Sequence, residues 1–180
     1  MKLWLVRHAR PLIDPGVCYG ASDVLADPAA TLEAASGLAE LLPPGLPVRC
    51  SPLQRCTQLA RALHALRPDL AWQADARLAE MNFGRWEGWR WSDITQDEFI
   101  PWIDSFHDYR FGGSESVGEL MARVARARND AARQGQGVWI THAGVIRAAH
   151  LLVQGLSRVS RASQWPREVA GFGCCQALAW

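Results

Sequence analysis

The sequence has no C-x-x-C pair, no long apolar run and almost no lysine. Its five cysteines are an odd number, and their spacing matches neither a zinc site nor a secreted disulfide framework. The apolar stretch at residues 3–6 is too short for a signal peptide or a membrane span, so we expect a cytoplasmic protein without a membrane partner. Lys2 is the only lysine among 19 basic residues, and the other 18 are arginines. Because arginine is used almost throughout, the presence of an arginine at a given position does not indicate that it binds a ligand.

A large charge of one sign is also absent. The formal net charge is +1, which provides no overall field for nucleic acid, and we expect no nucleic-acid partner. The chain is 49% hydrophobic and 21% charged over 180 residues, which is typical of a globular protein of one domain. We therefore predict a single domain over residues 1–180.

Strand and helix patterns alternate along the chain. We predict strands over residues 2–7, 47–50, 70–76, 138–141 and 172–180, and helices over 28–42, 52–67, 116–134 and 143–152. Capping boxes at Ser51-x-x-Gln54 and Ser116-x-x-Glu119 mark two of the helix starts, and Leu32 and Leu66 are expected on buried helix faces. Residues 81–113 are irregular and aromatic, with one or two short helices. This alternation favours a three-layer α/β/α sandwich with a mostly parallel central sheet.

Basic and histidine side chains follow three of the predicted strands. His8 ends the first strand beside Arg7, Arg55 lies in the first turn of the helix after the second, and His142 ends the strand 138–141. Ligands collect at the carboxyl ends of parallel strands, where helix N-termini also point. Taken singly, each of these residues is equally typical of a structural histidine, a helix cap or a solvated arginine. Together they predict a phosphate site in which a histidine attacks phosphorus while cations neutralise the oxygens.

Attack by histidine also requires a proton for the departing alkoxide. Glu80 lies just beyond a predicted strand among apolar and aromatic neighbours and is the candidate acid. Glu87 is the competing carboxylate, but it follows a Gly-Arg-Trp turn, and we interpret it as a residue that ties this loop down.

Four separated motifs resemble those of the histidine phosphatase superfamily, whose founding group is the phosphoglycerate mutases. They are Leu-Val-Arg-His at 5–8, Cys-Ser-Pro-Leu-Gln-Arg-Cys-Thr-Gln at 50–58, Leu-x-Glu-x-x-Phe-Gly-x-Trp-Glu-Gly at 78–88 and Thr-His-Ala-Gly-Val-Ile-Arg at 141–147. The resemblance implies a phosphoglycerate mutase-like fold and a phosphohistidine intermediate on His8. It also implies that Glu80 is the general acid, that Arg7, Arg55 and His142 bind the phosphoryl group, and that neither a metal nor another cofactor takes part.

Within that superfamily, Arg-His-Ala-Arg-Pro at 7–11 and the segment 18–24 are most similar to the alpha-ribazole phosphatases. This group removes a phosphate late in assembly of the cobalamin nucleotide loop, so the resemblance implies a small-molecule phosphomonoester as substrate. Asp14 stands where mutases usually carry asparagine, and mutases of this type are longer; both differences favour hydrolysis. A broad-specificity small-metabolite phosphatase, a phosphoglycerate mutase and a catalytically silent phospho-ligand binding protein remain as alternatives.

Some features have no role that the sequence assigns. The tryptophan-rich loop 86–91 offers a ring on which a flat base can stack, although a structural role for two of its tryptophans is favoured. The loop 112–116 resembles a Gly-Gly-Glu-Ser segment found before a helix in relatives. The oligomeric state stays open between monomer and homodimer, with Trp180 and the last strand as a candidate interface.

Overall fold

The computed structural model describes residues 2–179, so the predicted contribution of Trp180 lies outside the described residues. Five strands form one sheet in the order β3-β2-β4-β1-β5. Their bounds are β1 Lys2–Arg7, β2 Val48–Cys50, β3 Trp72–Ala74, β4 Gln136–Thr141 and β5 Cys175–Ala179. The first four strands are parallel, and β5 pairs antiparallel with β1 at one edge.

Helices cover both faces of this sheet and complete the three-layer α/β/α fold. They are α1 Pro28–Leu41, α2 Gln54–Leu66, α3 Gln96–Asp104, α4 Val117–Gln134 and α5 Ala143–Val153. Alternation along β1 separates two cores, since Leu3 and Leu5 pack with α4 and α5 while Val6 packs with α1 and α2. The predicted α/β fold with a mostly parallel sheet is confirmed.

Two details of the helix predictions are wrong. Leu32 is 62% exposed and Leu66 is 52% exposed. The buried face of α1 consists of Thr31, Ala35 and Leu38, and Leu32 points away from that face. Leu66 is the last residue of α2. Helical periodicity identified the helices correctly but misjudged the width of their buried faces.

The capping boxes have different outcomes. Ser116 and Glu119 form the predicted box at the start of α4, each side chain bonding the backbone of the other residue. The box predicted at Ser51 does not form, because α2 begins at Gln54 and its N-cap residue is Leu53. The Ser51 hydroxyl oxygen accepts a hydrogen bond from the Leu53 N–H at 3.3 Å, and the hydroxyl can also bond a partner outside the helix.

The aromatic segment 81–113 contains α3 and several three-residue 3-10 turns. Phe111 is fully buried. Its ring stacks against those of Trp102 and Phe99, at centroid distances of 4.4 Å and 5.2 Å. None of the helices within residues 2–179 is long and apolar enough to cross a bilayer.

Candidate active site

The parallel strands bring two candidate residues, His8 and His142, and also Ser51, to the carboxyl end of the sheet. The backbone N–H of His8 donates to the Thr141 carbonyl at 3.0 Å, and that of Ser51 donates to the Ile140 carbonyl at 2.9 Å. His142 follows Thr141 and is the N-cap residue of α5. Because the strand pairing continues one residue past each strand, His8, Ser51 and His142 converge at the carboxyl ends of β1, β2 and β4.

His8 is held as a neutral imidazole with one nitrogen free to react. Its Nδ1 lies 2.7 Å from the Ala9 carbonyl oxygen, and since a carbonyl only accepts, Nδ1 carries the proton and Nε2 keeps its lone pair. The ring is 2% exposed. Burial, together with the charges of Arg55 and Arg7, lowers the pKa of His8 to about 3. A neutral histidine whose Nε2 forms no hydrogen bond within residues 2–179 has the form that a nucleophile requires.

His142 stands beside His8, with 5.1 Å between the ring centroids. Its Nε2 and the hydroxyl of Ser51 form a hydrogen bond of 2.7 Å, and the thiol of Cys56 lies 3.4 Å from the same nitrogen. Complete burial and the nearby charge of Arg55 lower the pKa of His142 well below its usual value. Ser51, predicted as a helix cap, therefore serves to orient this second histidine.

Two guanidinium groups supply the positive charge of the site. Arg55 is fully buried and donates to the carbonyls of Ser22 and Gly20 at 2.7 Å and 2.6 Å. Arg7 donates to the Ala170 carbonyl at 3.1 Å, and its guanidinium lies 3.9 Å above the ring of Phe172.

Neither Arg7 nor Arg55 forms an ion pair with a carboxylate in the part of the chain that the structure describes. Burial lowers the pKa of Arg7, which reflects the free-energy cost of holding its charge away from water. Buried cations without acidic partners favour the binding of an anion. The site is thus electrostatically suited to a phosphate group beside His8.

The carboxyl group of Glu80 is hydrogen-bonded to the first turn of α5, the helix that follows His142. Its Oε2 accepts a hydrogen bond from the Gly144 N–H at 3.0 Å, and its Oε1 accepts one from the Met81 N–H at 3.1 Å. Glycine is required at 144 for this contact, because a Cβ there would lie 2.3 Å from Oε1 of Glu80. Arg7 lies within the electrostatic reach of Glu80, whose ionised form raises the pKa of Arg7 and opposes the effect of burial.

A half-buried arginine on α4 holds the backbone that carries Glu80. Arg123 donates to the carbonyls of Ala79 and Glu80 at 2.6 Å and 3.1 Å, and it forms an ion pair with Glu115 at 2.7 Å. This pair joins the loop 112–116 to the helix that follows it, so one function of the loop is to fix the position of residues 79–80.

Glu87 ties its loop down, as the sequence indicated. Its carboxylate accepts hydrogen bonds from the backbone N–H groups of Gly20, Ala21, Ser22 and Phe83. Burial alone would raise the pKa of Glu87, but the hydrogen bonds from Ser22, Gly20 and Phe83 outweigh it and lower that pKa. Glu87 accepts four backbone hydrogen bonds within its loop, whereas Glu80 accepts two and also lines a cavity, so Glu80 stays the candidate acid.

The structure thus brings together all five residues that the sequence singled out, and it adds others. The phenol of Tyr19 lies near Arg7 and Arg55, with 5.3 Å from the Arg55 guanidinium to its ring, and burial raises its pKa. Ser51 and Arg147 belong to the four motifs, from which Ser51 was predicted only as a helix cap and Arg147 received no role. Tyr19 belongs to the segment 18–24, whose resemblance to relatives assigned it no role.

A cavity of about 400 Å³ opens beside Glu80 and Gly144, and we call it the aromatic cavity. Four of its aromatic wall residues belong to the aromatic segment 81–113, and the fifth comes from the C-terminal part of the chain; they are Phe83, Trp91, Trp102, Phe106 and Trp165. Of the tryptophans in the loop 86–91, Trp91 lines this cavity, Trp86 packs on Phe111, and Trp89 is 51% exposed.

Asp14, which stands where mutases usually carry asparagine, is an exposed residue paired with an arginine. Its side chain is 77% exposed and contacts Arg90 at 3.4 Å. Across residues 2–179 no group of three or more His, Cys, Asp or Glu side chains is placed to hold a metal ion.

Comparisons with known proteins agree with this geometry. Residues 3–168 match the model of the histidine phosphatase superfamily, branch 1. A structure described as a phosphoglycerate mutase from Thermus thermophilus is 26% identical, with a TM-score of 0.74 over 100% of this chain and 94% of that chain. A mycobacterial glucosyl-3-phosphoglycerate phosphatase complexed with VO3 shares the fold, with 21% identity and a TM-score of 0.82 over 99% of this chain and 90% of that chain. No curated protein sequence matches the chain.

Proposed function

The chain belongs to the histidine phosphatase superfamily (branch 1), and we propose that it hydrolyses phosphomonoesters through a phosphohistidine formed on His8. One observation carries the proposal: His8 is neutral, keeps Nε2 unpaired through the bond from Nδ1 to Ala9, and lies within the field of Arg7 and Arg55. A nucleophile and unpaired cations at one sheet edge are the parts that phosphoryl transfer requires.

In the first step, Nε2 of His8 attacks phosphorus and the bond from phosphorus to the alcohol oxygen breaks. Glu80 gives its proton to that oxygen and becomes a carboxylate. Arg7, Arg55 and His142 bind the non-bridging oxygens. The Ala9 carbonyl accepts a hydrogen bond from the Nδ1–H group of His8, and this bond stabilises the positive charge that forms on the ring.

In the second step, the carboxylate of Glu80 takes a proton from water, and the water oxygen attacks phosphorus. The bond between phosphorus and Nε2 breaks, inorganic phosphate forms, and His8 returns to its neutral state. Each group then has the proton with which it began, so no other reactant is consumed.

For the substrate, we propose alpha-ribazole 5′-phosphate, with a broad range of small phosphomonoesters as the alternative. The resemblance of residues 7–11 and 18–24 to alpha-ribazole phosphatases supports the narrower choice. A panel of alpha-ribazole 5′-phosphate, adenosylcobalamin 5′-phosphate, sugar phosphates and phosphoglycerates distinguishes the two. A kcat/KM for alpha-ribazole 5′-phosphate similar to that for the sugar phosphates would favour the broad-specificity phosphatase.

The decisive variant is His8→Ala, for which we expect loss of all phosphatase activity with partial retention of phosphate binding. Glu80→Gln keeps the nucleophile but cannot donate a proton, so kcat should fall by about 10²- to 10⁴-fold for esters of alkyl alcohols. Trapping of ³²P on the wild-type chain and its absence in His8→Ala would locate the intermediate. A wild-type protein that binds phosphate but hydrolyses no phosphomonoester would instead be a phospho-ligand binding protein.

Phosphoglycerate mutase activity is the second candidate, because a structure of that description matches this chain over 94% of its own length. The expected difference in length therefore does not separate mutase from phosphatase here. Incubation with 3-phosphoglycerate and 2,3-bisphosphoglycerate does separate them. We expect inorganic phosphate; appreciable 2-phosphoglycerate would identify a mutase.

A further inference from the structure

The aromatic cavity beside Glu80 has no role in the two chemical steps. We infer that it receives the alcohol part of the substrate and selects phosphomonoesters whose alcohol carries a flat, apolar ring system. This inference rests on the proposed function, because it concerns the group that leaves when His8 attacks phosphorus.

The cavity begins at the residue that would protonate the leaving group. Glu80 and Gly144 both line it, and they are bonded to each other at 3.0 Å. An acid must lie within hydrogen-bond distance of the oxygen that it protonates. The alcohol oxygen must therefore stand beside Glu80, and the rest of the alcohol extends from there into the adjoining cavity.

The walls of the cavity are flat rings that support one another. Trp102 stacks on Phe106 at 5.5 Å between ring centroids, and Phe106 meets Trp165 edge to face at 6.1 Å. Trp102 is also stacked on the fully buried Phe111 at 4.4 Å. Rings held in this way are already ordered before binding, so stacking of a further ring costs little conformational entropy. A volume of about 400 Å³ is ample for a bicyclic ring system.

Charge narrows the choice of ligand. Arg147 lines the cavity beside Glu80, and its guanidinium donates to the Arg167 carbonyl at 3.2 Å. Burial lowers the pKa of Arg147, and no carboxylate within residues 2–179 forms an ion pair with it. Glu80 lines the same cavity and opposes the effect of burial on Arg147, but it is uncharged while it acts as the acid. At that stage a cationic alcohol would meet the like charge of Arg147 in a partly desolvated place, so the ring system that fits is uncharged or anionic.

The test compares two esters whose alcohols have closely similar pKa values, 2-(2-naphthyl)ethyl phosphate and butyl phosphate. Since both alcohols leave equally well, the ratio of kcat/KM reports binding of the ring. On the unmodified protein, we expect kcat/KM for the naphthyl ester to be at least about 10-fold higher than kcat/KM for butyl phosphate. Phosphocholine, a cationic ester with a better leaving group, should be hydrolysed more slowly than butyl phosphate.

Two tryptophan variants locate the effect. Trp165→Ala should lower kcat/KM for the naphthyl ester by about 10-fold and that for butyl phosphate by much less, because a four-carbon chain has far less surface to lose against this wall than a bicyclic ring. Trp89→Ala, at an exposed tryptophan outside the cavity, is the matched control and should change neither value.

The outcomes separate this inference from the proposed function. Hydrolysis of both esters with equal kcat/KM on the unmodified protein overturns the inference and leaves the phosphatase intact, whether or not Trp165→Ala folds. Hydrolysis of neither ester, with no ³²P trapped on His8, overturns the proposed function.

Discussion

At the scale of single residues, Gly144 decides where the carboxylate of Glu80 can lie. The Gly144 N–H binds Oε2 of Glu80, and the missing side chain leaves the room that Oε1 occupies. A methyl group at this position would lie 2.3 Å from Oε1. The carboxylate is the end of a flexible side chain, so it can move aside while the fold persists.

We expect Gly144→Ala to lower kcat by about 10²-fold, because a catalytic group displaced by about 1 Å loses much of its effect. Phosphate binding and the melting temperature should change little. Steady-state kinetics, a phosphate titration and thermal unfolding check the three parts. The matched control is Gly37→Ala on α1, where an added Cβ meets nothing within 4 Å; an equal loss of kcat there would contradict the explanation.

At the scale of secondary structure elements, two serines with the same sequence signal have different roles. Ser116 and Glu119 cap α4 through a complete capping box. Ser51 precedes α2 by three residues and bonds Nε2 of His142 across the sheet edge. The signal Ser-x-x-Gln/Glu is local, whereas the choice of partner depends on whether a group from another strand competes for the hydroxyl.

Ser116→Ala should lower the free energy of unfolding by about 1 kcal/mol and leave kcat unchanged, since it removes only a helix cap. Ser51→Ala leaves a buried His142 without its hydrogen bond, so it should lower kcat several-fold as well as stability. Urea unfolding and kinetics on the same preparations provide the comparison. Similar kcat values for the two variants would show that Ser51 does not orient His142.

At the scale of the whole molecule, the fold favours the neutral form of four histidines. The pKa values of His8, His142, His107 and His150 are all lowered, in each case first by burial. In the unfolded chain a histidine has a pKa of about 6.5. Above that pH both states are neutral and these groups contribute nothing; below it the unfolded chain gains the proton more readily than the folded protein, so stability falls.

For His8, whose pKa is about 3 in the folded protein, this loss extends from about pH 6.5 down to about pH 3. Between about pH 6.5 and about pH 4.5 it amounts to roughly 2 kcal/mol. His8→Gln has no histidine at this position and does not lose this stability. As the pH falls from about 6.5 to about 4.5, its free energy of unfolding should therefore rise by roughly 2 kcal/mol relative to that of the wild type. Chemical unfolding of both proteins at several pH values measures it; a constant difference would show that His8 titrates normally in the folded state.

Local patterns in the chain were sufficient to predict the order of strands and helices, the fold class and the five candidate residues of the site. They consist of hydrophobic periodicity, capping residues and polar side chains placed directly after strands. His8, Arg55 and His142 were predictable together because strand ends of a parallel sheet must meet at one edge. Glu87 was predictable as structural from the turn that precedes it.

Contacts between distant residues, in contrast, became visible only in the folded molecule. The bond from Ser51 to His142, the position of Tyr19 near the arginines and the space that Gly144 leaves for Glu80 all join residues far apart in the chain. The aromatic cavity likewise joins rings of the segment 81–113 to Trp165, Gly144 and Arg147, which lie far from that segment in the sequence. Such contacts depend on how helices and loops pack on the sheet, and packing depends on the shape of the whole molecule rather than on any local pattern.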